Sequence, residues 1–275
     1  MLDLLKIEWL KIKNYKVFII ISLFFIIGVF VTNYIVYSVF DNIINKSEVT
    51  HVLLNKFNPY DFNFVWQTVS YTSGFILILP VLLLIILVTN EFAFKTSRQN
   101  IIDGWSRLQF VNVKIMLALI VSVISTLLVI ITALVFAYST GTHFSTDGFS
   151  HVGYFFLKSF SYNLIAIFIS VLLRRTGFAI GIFFIYMGTE NIIAQLLDVL
   201  SIKIRSNTGV DLGSMGDYLP MNASDGLLSF PRNPLKSMTS AILPTDYTSL
   251  VICIAIFYLI LFYWMCRRNI LKKDL

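Results

Sequence analysis

Residues 66–89 read WQTVSYTSGFILILPVLLLIILVT, without a single Asp, Glu, Lys or Arg. A helix rises 1.5 Å per residue, so about 20 apolar residues cross a hydrocarbon core ~30 Å thick. Five further blocks have the same length and character: Val17–Phe40, Ile115–Tyr138, His151–Leu173, Thr176–Leu197 and Tyr247–Cys266. Strands of a membrane barrel are excluded, because they would be only about 10 residues long and would alternate.

Composition agrees. Of the 275 residues, 57% are hydrophobic and 13% charged, against about 25% charged in a soluble domain. The expected fold is all-α: a polytopic membrane protein with six transmembrane helices in one domain spanning 1–275. The first block is longer than the apolar core of a signal peptide, and no small-x-small cleavage site follows it, so the N-terminus is expected to be retained. Cys253 and Cys266 fall in one block, roughly 20 Å apart along a helix, too far to bond to each other. If the N-terminus is cytoplasmic, the cytoplasmic segments hold 14 of the 21 basic residues, and the outer side holds 10 of the 15 acidic ones. Basic loops stay inside, so both termini are expected in the cytoplasm of a cell whose inner membrane holds the chain. Topology accounts for the net charge of +6, which leaves nucleic acid without a role.

Residues 1–16 precede the first span. Leu2, Leu5, Trp9 and Ile12 fall on one helical face, with Lys6 and Lys13 away from it. This is the pattern of a short helix lying on the lipid interface. Only Arg174-Arg175 separates the fourth and fifth blocks, a tight hairpin. The last outer segment, 198–246, is rich in Gly and Pro but includes apolar pieces such as 226–230 and 241–243. These suggest short helices packed at the outer face, partly re-entrant, since irregular backbone at that depth must be covered by protein or water.

The connection from Thr89 to Lys114, TNEFAFKTSRQNIIDGWSRLQFVNVK, is long, polar and helix-patterned. Glu91 precedes Lys95 by four and Asp103 precedes Arg107 by four, both favourable helix pairs. Gly104 is expected to break the helix. Ile101, Ile102, Trp105 and Leu108 form an apolar stripe that needs cover. Either a partner protein supplies it, or the lipid interface and the chain's own helices do.

Glu91, Lys95, Thr96 and Arg98, then Ser106, Arg107, Phe110 and Lys114, match in order the E-x(3)-[GK]-T-x-R and S-R-x-x-[FL] stretches of a known family. With the basic first helix and six spans, the chain resembles the permease subunits of type-2 (exporter) ABC transporters. Many members have Gly where this chain has Lys95. The resemblance implies a coupling hairpin at 90–114 seated in a cleft of a separate ATP-binding subunit. Glu91, Lys95, Arg98, Ile101, Ile102, Trp105, Arg107 and Leu108 would then be the coupling residues. It also implies a second permease chain, homo- or heterodimeric, and ATP with Mg held by the partner. The chain itself has no GxxxxGK[ST] phosphate loop, so no enzyme activity or cofactor of its own is expected.

Glu190 lies about 14 residues into the fifth block, roughly 20 Å from its start. A carboxyl at that depth is costly. It either binds a cationic group or gates the outer path, or it is held by hydrogen bonds to Asn191, Gln195 or a neighbouring helix. Gly177, Gly181 and Gly188 share one face, suited to close helix contact inside one subunit, with a dimer seam as the other reading. Lys158 is expected to snorkel to the outer headgroups. His51, His143 and His151 lack metal-ligand spacing. Asn45-Lys46-Ser47 and Asn222-Ala223-Ser224 match the glycosylation pattern.

Two alternatives belong to other classes. An intramembrane enzyme would need a Ser/His, paired-Asp or metal set at common depth, and only Glu190 is acidic within the spans. A secondary carrier would show two related halves, and no repeat is found. The mostly apolar spans favour an amphiphilic substrate.

Overall fold

The computed structural model describes residues 2–46, 58–231 and 247–272. The readings of Ser47, His51 and residues 241–243 lie outside the described residues, as do the side chains of Asn45 and Lys46. No strand occurs among the described residues, which form helices α1 (Leu2–Ile12), α2 (Lys16–Lys46), α3 (Phe62–Gly74), α4 (Ile78–Ala93), α5 (Thr96–Ile102), α6 (Arg107–Ser139), α7 (Ser150–Leu173), α8 (Thr176–Thr208), α9 (Asn222–Asp225) and α10 (Thr248–Lys272). Six spans are long and apolar enough to cross a membrane: α2, α3 with α4, α6, α7, α8 and α10. The chain is an all-α polytopic membrane protein.

The span from Phe62 to Ala93 contains a 3-10 turn at Phe75–Leu77. Pro80 lies just beyond it. Its ring cannot donate an N–H and crowds the carbonyl four residues back, at Ile76, which loosens the helix there. This span and α7 are the most buried, at 61% each, whereas α2, α8 and α10 are 17–22% buried. The core is therefore built on α3, α4 and α7. Helix α7 packs against α3, α4, α6, α8, α9 and α10. The apolar residues left outside, such as Phe24 on α2, Ile185 on α8 and Phe257 on α10, suit lipid as solvent.

Several helices overrun their apolar blocks. Helix α6 starts at Arg107, because Ser106 caps it: Ser106 Oγ accepts from the Gln109 N–H and Gln109 Oε1 accepts from the Ser106 N–H. This reciprocal box satisfies two otherwise orphaned donors. Helix α8 runs on to Thr208, closed by Gly209 at φ 72°. The long outer segment thus begins about ten residues later than its composition indicates. Arg174 adopts a left-handed turn and Arg175 an extended one, giving the expected two-residue hairpin between α7 and α8.

Candidate functional site

Two clusters of buried charge stand out, one at each end of the helix bundle. The first lies where α1, the end of α4, α5 and the start of α6 meet. Lys114 Nζ sits 2.5 Å from Glu8 Oε2 and 2.8 Å from Glu91 Oε1. Lys11 Nζ bridges the same two carboxylates at 3.1 and 3.3 Å and donates to Asn100 Oδ1 at 3.3 Å. The side chains of Lys114 and Glu8 are only 2% and 3% exposed. Two anions and two cations neutralise one another, which is what allows such groups to be buried.

The cluster shifts the titration of Glu8 and Lys11. Burial alone would raise the Glu8 pKa, but the Lys114 ammonium and then Lys11 outweigh it and hold the carboxyl below its ordinary value. Burial would lower that of Lys11, yet the Glu91 and Glu8 charges raise it. Both effects favour the charged forms of Glu8 and Lys11 at neutral pH.

This geometry revises the reading of the hairpin. Glu91 does not pair along its own helix with Lys95, because α4 ends at Ala93 and Lys95 turns left-handed at φ 59°. It is buried against α1 and α6 instead. Asp103 and Arg107 likewise fall on opposite sides of a break, at Gly104 with φ 99°. Arg107 Nη1 reaches the Leu271 carbonyl of α10 at 3.5 Å. Trp105 is turned inward at 9% exposure, with the Lys11 ammonium 5.6 Å from its ring centre, and its backbone N–H donates to the Asn100 carbonyl at 3.0 Å. Of the two covers considered for the apolar stripe, the chain's own helices take Trp105. Ile101 and Leu108 are half-buried, and Lys95 and Arg98 are exposed. The apolar groups presented outward are Phe94 and Ile102, 75% and 80% exposed.

The docked face of α1 also differs from expectation. Glu8 and Ile12, four residues apart, are buried, whereas Trp9 is 58% exposed and meets Phe18 edge-on. The helix is held by its acid, not by its tryptophan. The sequence signal for this was slight: an acidic residue inside a basic helix, and a lysine eight positions into α6.

The second cluster lies at the other end. Glu190 Oε1 accepts from the backbone N–H of Met221 at 2.5 Å, from that of Asn222 at 2.9 Å and from Asn222 Nδ2 at 3.2 Å. These three donors lie in the outer segment and not at Asn191 or Gln195, and Tyr186, one turn back on α8, also hydrogen-bonds Glu190. Further contacts show that segment running back along α8: Ser201 donates to the Gly213 carbonyl, and the Gly216 N–H donates to Asp198 at 2.9 Å. It returns from the end of α8 to Glu190, roughly 27 Å at the helical rise. Asn222 is buried and donates to Glu190, so it is no surface acceptor for a glycan. Lys158 does not reach away to headgroups. It forms an ion pair with Asp225 at 3.1 Å, and the Tyr162 hydroxyl donates to the same carboxylate at 2.7 Å. In a low dielectric a nearby counter-charge stabilises an ammonium more than a distant interface does. The Gly177, Gly181 and Gly188 face is open, with no atom within 4 Å of an added Cβ. These glycines therefore make no close helix contact inside the subunit.

Among the described residues, no group of three or more His, Cys, Asp or Glu is placed to hold a metal ion. No family model matches the chain, and no curated protein matches it.

Proposed function

We propose that this chain is the membrane-spanning subunit of an ATP-driven ABC exporter, coupled to a separate ATP-binding subunit and paired with a second permease chain. The observation that carries the reading is the hairpin tip. Phe94 and Ile102 stand out at 75% and 80% exposure beside a buried ionic cluster that ties the hairpin to α1 and α6. An exposed apolar tip on a firm mount suits docking into a protein cleft. Movement of such a tip would be felt at once by the three helices that share the cluster. ATP and Mg belong to the partner in this reading, the substrate path to the spans, and both termini to the cytoplasmic side of the membrane. Co-purification of an ATP-binding subunit encoded beside this chain tests it. Phe94→Asp with Ile102→Asp should abolish co-purification while leaving insertion intact. Unchanged co-purification would sink the hairpin as coupling element.

A further inference from the structure

Helix α10 has two faces of different chemistry. Phe262, Cys266 and Ile270, four residues apart, are buried against the bundle. On the other face Ile256, Phe257, Ile260 and Trp264 are exposed, and Arg267, Arg268 and Leu271 continue that exposed face toward the helix end. Trp264, Arg267, Arg268 and Leu271 line an open hollow of about 350 Å³. It lies at the end of the bundle that carries the first cluster, where Arg107 Nη1 reaches the Leu271 carbonyl.

The Arg268 guanidinium stands 5.0 Å from the centre of the Trp264 ring, four residues back on the same helix. Stacking on an aromatic face steadies the group and leaves the N–H donors of its edge available. Among the described residues, no carboxylate lies within ion-pair distance of Arg267 or Arg268. A guanidinium presents a planar fork of donors that matches the oxygens of a phosphate. From this hollow the apolar row of Trp264, Ile260, Phe257 and Ile256 runs on into the span, roughly 12 Å along the helix. A ligand that fits both parts carries a phosphate at one end and a hydrocarbon chain at the other.

We infer that this hollow is a binding site for an anionic phospholipid, with its phosphate on Arg267 and Arg268 and an acyl chain along Trp264, Ile260 and Phe257. Two cations facing one headgroup favour an anionic lipid over a zwitterionic one, whose own ammonium cancels much of the attraction. The site stands independently of the exporter reading.

The test uses the purified full chain in an uncharged detergent, with phosphatidylglycerol and phosphatidylcholine of identical acyl chains, and counts retained lipid by native mass spectrometry. One phosphatidylglycerol should be held per chain, with about tenfold preference over phosphatidylcholine. Arg267→Gln with Arg268→Gln should remove most of that preference, and Trp264→Leu should weaken retention several-fold. Both arginines are exposed, so their replacement should leave thermal stability unchanged. Lys6→Gln with Lys13→Gln, exposed basic residues of α1, should leave the preference intact. Glycerol phosphate should neither bind nor displace the lipid. Equal retention of the two lipids by the unaltered chain, a comparison that depends on no variant folding, would overturn the inference. So would a preference that survives loss of the arginine pair, or one that falls as far without Lys6 and Lys13, which is the mark of diffuse surface charge. Glycerol phosphate bound as tightly as the lipid would make this a site for soluble phosphates and overturn the lipid assignment.

Discussion

Lys114 and Glu8, 106 residues apart in sequence, meet at 2.5 Å with both side chains almost wholly buried. The pair fastens α1 to the first turns of α6, and breaking it from one side strands a charge. Lys114→Met should cost about 3 kcal/mol, since the remaining carboxylates lose their nearest cation. Combined with Glu8→Gln it should cost clearly less than the sum of the two, a coupling of at least about 1 kcal/mol. Thermal unfolding of the purified chain measures the cycle. Additive losses would mean that the pair contributes nothing as a pair.

The pH dependence of α1 docking follows from the same cluster. The Glu8 pKa is depressed on folding, so its contribution is present above the unfolded value of 4.5 and is lost as pH falls through its lower folded value. The Lys11 pKa is raised, so its contribution is present below 10.5 and is lost as pH rises through its higher folded value. Limited proteolysis near Tyr15 should therefore be slow through the neutral range and accelerate at both extremes. Glu8→Gln should flatten the acid limb. An acid limb unchanged in that variant would assign it to another carboxylate.

Trp105→Ala should behave as a core truncation and not as loss of an interface anchor. With the ring buried, the expected cost is roughly 3 kcal/mol of stability, whereas Ile102→Asp should stay within about 0.5 kcal/mol. Thermal denaturation distinguishes them. A Trp105→Ala chain of full stability that fails to bind a partner would return Trp105 to the interface.

Much of the architecture is legible in the sequence because it depends on local pattern. Six apolar blocks, the Arg174-Arg175 turn and the break at Gly104 each follow from a few consecutive residues. The charge clusters are not legible in that way. Glu91 has a cation four positions on, which local rules select, yet its partners come from Lys11 and Lys114 once α4 ends before Lys95. Lys158 and Glu190 look like isolated liabilities in two spans, because Asp225 and Asn222 lie beyond the end of α8. Helix periodicity reports neighbours on one helix, and these contacts join different ones.

Glu190→Ala should loosen the returning segment. Two backbone donors and the Asn222 amide lose their acceptor, at about 1–3 kcal/mol for each buried donor left unpaired. Hydrogen exchange over residues 215–226 should quicken, with the α1 cluster unaffected. Glu190→Gln keeps an acceptor oxygen and should do less. Exchange unaltered in the alanine variant would remove Glu190 as the tether.

The short turn between α7 and α8 bears on biosynthesis. These two spans have the lowest mean hydropathies of the six, 1.8 and 1.5, and each brings an ionisable group, Lys158 or Glu190, into the lipid. Their counterparts at residues 221–225 emerge from the ribosome only after both helices have been made. The pair must therefore enter the bilayer as a hairpin that is still electrostatically incomplete. Translation of the next 17 residues, from Gly209 to Asp225, then supplies what neutralises Lys158 and satisfies Glu190.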